Sequence, residues 1–310
     1  MSASRSLKGL FGPRYWGTWL GFLLLRALSV LPFSWQMAFG RALGRLAFKL
    51  AKSRRRIASR NLRLCFPDLD ADAHARLLHA HFENLGASVA EMAMSWYRPQ
   101  RFKGRIRLHG AEHLDAIEHG RIIILTAHFG ALEVGGVALA DTGLVFDAVY
   151  REDRNPLANE LIRRGRERAG RETIEKSNIR GMVRSLRAGV PVWYAPDQSY
   201  RRKQSETIPF FGVPAQTNTA TSALARLAKA TVVVFVPVRR ADGTYDITVS
   251  PPLADFPGED AVADTVRIMG YIEDAIREAP EQYFWVHRRF KGAPTGDGDP
   301  YDALADEDAA

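Results

Sequence analysis

Residues 121–133 read Arg-Ile-Ile-Ile-Leu-Thr-Ala-His-Phe-Gly-Ala-Leu-Glu, and this stretch decides the fold class. An apolar run of the kind found in a buried strand, Ile122–Leu125, gives way to His128, and a carboxylate, Glu133, follows five residues later. A strand that delivers an imidazole to its C-terminal end, with an acid close behind, is how an α/β enzyme places a general base. Five helical steps at ~100° each would put the two side chains about 140° apart. They can meet only if the chain turns between them, and Gly130 is placed for that turn.

Outward from this strand the same texture repeats. Apolar, β-branched runs at 145–150, 190–195, 232–238, 245–249 and 283–286 alternate with helical patterns at 132–140, 156–169, 179–188, 218–229 and 261–279. Strands alternating with helices predict an α/β fold whose central sheet is mostly parallel and flanked by helices. In such sheets ligands bind beyond the C-terminal strand ends. Upstream, Asp70 or Asp72 can cap a long helix reaching about Tyr97. Its apolar positions Leu78, Phe82, Leu85, Val89, Met92 and Trp96 form one stripe, expected to face a core.

The 310 residues suffice for one large domain or a domain with an appendage, and 46% hydrophobic content is that of a chain with a real core. The single cysteine, Cys65, rules out an internal disulfide framework and a cysteine metal cluster, and fits a reducing compartment. The net charge of +8 is uneven: the thirteen Lys and Arg of residues 1–67 face no acid before Asp68, whereas residues 296–310 are acidic. We therefore divide the chain into an N-terminal membrane-attachment and basic amphipathic region (1–66), an α/β domain (67–295) and an acidic disordered tail (296–310).

A basic N-terminus first raises nucleic acid. Residues 15–35 argue against it, being apolar and aromatic with a single charge, Arg26, and with Tyr15, Trp16 and Trp19 at one end and Trp35 at the other. That pattern predicts a hydrophobic membrane-attachment helix, either spanning the bilayer or lying in its interface. Phe39, Leu43, Leu46 and Leu50 then recur at helical spacing, with Arg41, Arg45, Lys49 and Lys52 on another face. This is a basic amphipathic helix suited to an anionic membrane surface, and its charges place that side in the cytoplasm.

Three strand ends bring polar groups to one sheet edge: His128 with Glu133, then Tyr150-Arg151, then Asp197-Gln198. No serine sits in a G-x-S-x-G elbow, and Cys65 lies in the basic N-terminal region, so a covalent enzyme nucleophile is not expected. No Walker or Rossmann glycine motif supports nucleotide chemistry, and His128 and Glu133 lack a third metal ligand, so no metal is expected. A base without an enzyme nucleophile suits activation of a substrate hydroxyl. His128 would take its proton as the oxygen attacks an acyl carbonyl, Glu133 would orient the imidazole, and Arg151 or backbone amides near Gly130 would stabilise the oxyanion.

The ordered set of motifs resembles a known family. His128-Phe129-Gly130-Ala131-Leu132-Glu133 is similar to the His-x4-Asp/Glu signature of glycerolipid-type acyltransferases. Arg60-Asn61-Leu62, Cys65-Phe66-Pro67, Tyr150-Arg151 with Asn155-Pro156, Pro196-Asp197-Gln198, Pro209 to Ala215 and Tyr283 to Phe290 narrow the resemblance to the lipid A biosynthesis lauroyl and myristoyl (late) acyltransferases of Gram-negative bacteria. The resemblance implies a cell inner membrane enzyme, catalytic on the cytoplasmic face, without a cofactor. It would move a fatty acyl chain from acyl carrier protein, or from coenzyme A, to a hydroxyl of a lipid A precursor or related anionic glycolipid. It carries the base role to His128 and the partner role to Glu133, with Tyr150, Arg151, Asp197 and Gln198 at motif positions. The basic clusters Arg54–Arg56, Arg201-Arg202-Lys203 and Arg288-Arg289-Lys291 suit acidic partners. Acylation of another polar lipid, such as an ornithine lipid or phosphatidylinositol mannoside, and a non-catalytic lipid-binding role are the alternatives.

Overall fold

The computed structural model describes residues 7–115, 117–201, 204–293 and 298–302. Its centre is a seven-stranded sheet in the order β1-β9-β8-β2-β5-β3-β4. The strands are β1 (Ile106–His109), β2 (Ile122–Leu125), β3 (Asp147–Tyr150), β4 (Glu172–Glu175), β5 (Val192–Tyr194), β8 (Thr231–Arg239) and β9 (Tyr245–Val249). β8, β2, β5, β3 and β4 run parallel; β9 is antiparallel to β8, and β1 is parallel to β9. The mostly parallel sheet is thus present with one reversed edge. A separate hairpin, β6 (Ser205–Phe210) and β7 (Val213–Asn218), follows β5. It turns at Phe211 and Gly212, both at positive φ (51° and 75°), the primed-turn geometry that glycine supports.

The helices are α1 (Trp16–Leu28), α2 (Phe33–Leu50), α3 (Lys52–Cys65), α4 (Ala71–Tyr97), α5 (Glu112–Asp115), α6 (Leu132–Asp141), α7 (Pro156–Arg166), α8 (Ile179–Arg187), α9 (Ala220–Ala228) and α10 (Ala261–Glu278). They explain why β2 reads as an unbroken apolar run. Ile123 and Leu125 face a core built with α3, α8, α9 and α10, while Ile122 and Ile124 face a second core built with α4 and α6. Asp70 caps α4, its side chain accepting the Ala73 N–H at 2.6 Å.

Several expectations change. Residues 15–35 do not form one helix. α1 has 13 residues, about 20 Å of rise against the roughly 30 Å of a bilayer core. The chain then turns at Ser29–Pro32, where the buried Gln36 amide donates to Leu31 O at 2.7 Å. No helix among the described residues is long and apolar enough to cross a membrane. Tyr283–Val286 is not a strand: Tyr283 makes only an isolated bridge with Phe129, and its neighbour Trp285 is buried in the core. Conversely β1 and β4 pair as strands although their polar, alternating residues gave no apolar run. Residues 296–297 and 303–310 of the acidic tail lie outside the described residues. Gly298–Asp302 fold back onto the body, because Tyr301 finds a buried place there. Its hydroxyl donates to Asn61 Oδ1 and accepts the Phe290 N–H at 3.1 Å. α3 shares a core with the sheet, through Ile57, Ala58 and Leu62.

α2 packs on α4 in an unusual way. Its buried face is Gln36, Met37, Gly40 and Gly44, and a Cβ at Gly40 would sit 2.7 Å from Gly86 O of α4. The two backbones touch through glycines. The apolar stripe Trp35, Phe39, Leu43, Leu46 and Leu50 therefore points away from the protein, with Trp35 68% and Leu50 71% exposed.

Candidate active site

β2 and β5 are neighbours in the sheet, and their ladder continues one step beyond the strands, where Thr126 N–H donates to Tyr194 O at 2.9 Å. Just past this point each chain places a side chain: His128 from β2 and Asp197 from β5. The two meet, His128 Nδ1 lying 2.7 Å from Asp197 Oδ1, and the His128 backbone N–H donates to Asp197 Oδ2 at 3.1 Å. Asp197 is fully buried. Burial alone would push its carboxyl up, yet the adjacent His128 charge, the His128 hydrogen bonds and the nearby Tyr283 hydroxyl hold it below the usual carboxylate range. An ionised Asp197 on Nδ1 fixes the tautomer in which Nδ1 carries the proton and Nε2 is the basic nitrogen. The imidazole is about one-third exposed.

Glu133 holds another position. It opens α6, but its oxygens are engaged elsewhere: Oε2 accepts from Trp96 Nε1 at 2.8 Å, and Oε1 accepts from Arg166 Nε at 2.9 Å. The acid hydrogen-bonded to His128 is thus Asp197, from a neighbouring strand end. Between His128 and Glu133 the chain turns away into α6, which carries Glu133 toward α4 and α7. The amides near Gly130 are also largely committed. Gly130 N–H donates to Gln282 O at 2.7 Å, Phe129 N–H to Ala127 O and Leu132 N–H to Phe129 O. Gly130 N–H is therefore not a free oxyanion donor.

Two depressions meet at the imidazole. One, of about 270 Å³, is lined by His128, Glu133, Tyr150, Arg151, Arg166 and Gln198, with Lys176, Ser199, Tyr200 and His287 among its other walls. Five of the six residues nominated from sequence thus surround one cavity, and Asp197 lies behind His128. The cavity's cations are Arg151, Arg166 and Lys176. His287 adds none near neutrality, since burial pulls its imidazole down to about 4, and its Nε2 accepts the Ser199 N–H at 3.3 Å. The other depression, of about 250 Å³, is a largely apolar groove along α4, lined by Leu85, Val89, Met92, Phe129, Leu132 and Phe284 together with His128 and Glu133. The middle of the α4 stripe thus forms a groove wall, while Leu78, Phe82 and Trp96 are core. Phe210 and Trp285 are core as well.

Arg166, Lys176 and Trp96 were not singled out from sequence: Arg166 and Lys176 are single cations in charged stretches, and Trp96 was read as core. Of the basic clusters, Arg289 is buried, donating to Gln216 O at 3.1 Å and Thr217 Oγ1 at 2.8 Å, so it offers nothing to a surface partner. Arg202 and Lys203 lie outside the described residues. Among the described residues no group of His, Cys, Asp and Glu is arranged to hold a metal ion.

The chain matches known proteins over most of its length. The family model for bacterial lipid A biosynthesis acyltransferases matches residues 5–292. The lipid A biosynthesis lauroyltransferase of Escherichia coli (strain K12) is 36% identical over 294 residues, covering 93% of this chain and 95% of the relative. The palmitoleoyltransferase of the same organism is 34% identical over the same shares of the two chains. The myristoyltransferase is 29% identical, over 93% of this chain and 91% of its own. Among solved structures, the 1-acyl-sn-glycerophosphate acyltransferase PlsC from Thermotoga maritima aligns with 77% of this chain and 94% of its own, at 10% identity and a TM-score of 0.37.

Proposed function

Because the chain belongs to the bacterial lipid A biosynthesis acyltransferase family, and is thus an acyltransferase, we propose that it moves a fatty acyl chain from an acyl carrier protein thioester to a hydroxyl of a lipid A precursor, with His128 as general base. The observation that carries this reading is the His128–Asp197 pair standing between a cationic cavity and an apolar groove. The groove takes the acyl chain of the donor. The cavity takes the polar, anionic part of the acceptor, facing Arg151, Arg166 and Lys176. The acceptor hydroxyl gives its proton to His128 Nε2 while its oxygen attacks the thioester carbonyl. The tetrahedral intermediate then collapses, the C–S bond breaks, and the imidazolium returns the proton to the leaving thiolate. Asp197 balances the imidazolium charge through Nδ1. Arg151 stabilises the oxyanion, and Glu133 acts through Arg166, holding its guanidinium at the cavity wall.

The outward stripe of α2, with Trp16, Leu20, Leu23 and Leu24 of α1, forms the face that lies in the membrane interface, flanked by Arg41, Arg45 and Lys49. On this reading the protein works at the cytoplasmic face of the inner membrane, and the basic residues beside the apolar face support it.

The test is transfer from acyl carrier protein thioester to a phosphorylated glucosamine disaccharide bearing free 3-hydroxyacyl chains. His128→Ala lowers the rate by roughly 10²–10⁴-fold while the protein stays folded and vesicle-bound. Full activity in that variant rejects the mechanism.

A further inference from the structure

His128 rides on a segment, 126–131, that belongs to no helix or strand, so its position is set by what tethers the segment. Asp197 holds one side. The other side hangs from Gln282, whose backbone carbonyl takes the Gly130 N–H at 2.7 Å. Gln282 is itself fixed at both ends of its side-chain amide. Oε1 accepts the Arg239 backbone N–H at 2.9 Å, and Nε2 donates to Arg239 O at 2.8 Å, closing the end of β8 as another strand would. Arg239 then reaches into α4. Its Nη1 donates to Glu91 Oε1 at 2.6 Å and its Nη2 to Asn84 Oδ1, and Glu91 Oε1 also accepts the Tyr245 hydroxyl at 2.7 Å. The circuit closes beneath the loop, because a Cβ at Gly130 would stand 2.7 Å from the Asn84 amide and from Ser88 Oγ. Every side chain of this circuit is buried except Ser88, which is partly so.

A buried ion pair of this kind contributes little net stability compared with apolar residues of the same shape. Its geometric effect is larger. It ties β8, α4 and the loop after His128 into one unit, and α4 is also the helix whose Leu85, Val89 and Met92 wall the apolar groove. We propose that Gln282 and Arg239 are positioning residues for acyl transfer. They hold the imidazole of His128 at a fixed distance from the groove wall, on the side opposite Asp197. The proposal rests on the reading of His128 as the base.

Gln282→Met keeps the length of the side chain and removes both hydrogen bonds to Arg239, together with the one from Nε2 to Glu281 Oε1 at 3.1 Å. A displacement of the base by about 1 Å costs on the order of 10²-fold in rate, so Gln282→Met lowers kcat by roughly that factor with KM for both substrates little changed. The paired variant Glu91→Leu with Arg239→Met removes both charges together, lowers the melting temperature because the buried Tyr245 hydroxyl and Asn84 Oδ1 lose these partners, and also lowers kcat in the folded protein. The readout is steady-state kcat and KM per folded molecule, alongside thermal melting and a parallel His128→Ala control. A lower melting temperature with kcat intact in both variants overturns the proposal and leaves Gln282 a purely structural residue. Full activity in the His128→Ala control instead overturns the reading of His128 as base, whatever the other variants do.

Discussion

α2 and α4 lie against each other and both carry an apolar stripe at helical spacing, yet the stripes have opposite fates. In α4, Leu78, Phe82 and Trp96 go into the protein, and the half-buried Leu85, Val89 and Met92 wall a groove. In α2 the stripe faces outward, and the helix is held by its glycines. A helix that buries its glycines and exposes Trp35, Phe39 and Leu50 has exchanged the usual faces of an amphipathic surface helix. The difference teaches that periodicity reports a stripe without saying what it faces. The stripe's partner is read from the other face: small residues spaced four apart, Gly40 and Gly44, mark the side that meets a second backbone.

The comparison can be broken most severely on α4. Phe82 is buried in the core that α3 and the sheet share, with its ring edge-on to Phe48 of α2 at 5.5 Å between centroids, and Phe82→Ala is expected to cost about 3–5 kcal/mol of stability by urea unfolding. A loss below about 1 kcal/mol would mean that this face is not core.

The next effect is pH-dependent and also lies on α4. His81 is fully buried, burial pulls its imidazole down to about 4, and its Nδ1 lies 3.2 Å from Glu281 O. The folded state therefore keeps it neutral, while the unfolded chain protonates it near 6.5. Its contribution is complete above pH 6.5 and is lost as pH falls from 6.5 toward 4, by up to about 3 kcal/mol. His81→Leu should flatten that part of the stability–pH curve, and an unchanged curve would assign the acid sensitivity to another group, His287 first.

The smallest effect on stability belongs to α2. Phe39→Glu with Leu46→Glu should leave unfolding within about 0.5 kcal/mol of the native protein, because both side chains already face out. The same pair should weaken binding to anionic vesicles at least about tenfold. Loss of stability with binding intact would reverse the assignment of the two faces.

Much of the α/β domain was legible because its signals are local. Ile122–Leu125 is apolar on both faces, Asp70 stands where a cap belongs, and the parallel strands alternate with helices of ordinary length. The candidate site was legible as a set of strand ends. Its pairing was not, because it depends on strand order. Asp197 reaches His128 only because β5 lies beside β2, and no spacing along the chain encodes that neighbour relation. Glu133, close in sequence, is carried off by α6 to Trp96 and Arg166. The interruption of residues 15–35 at Pro32 was visible as a weakness of the apolar segment. The buried use of Gly40, Gly44 and Gly86 was not, since a glycine shows its role only when the second backbone is in place.

The meeting of the cavity and the groove at one imidazole has a consequence for traffic. On the proposed reading, the two substrates approach His128 from different sides, one through polar walls and one along hydrocarbon. Neither blocks the other's entrance, so both can be resident at once, and the acyl chain passes directly between them without being parked on the protein.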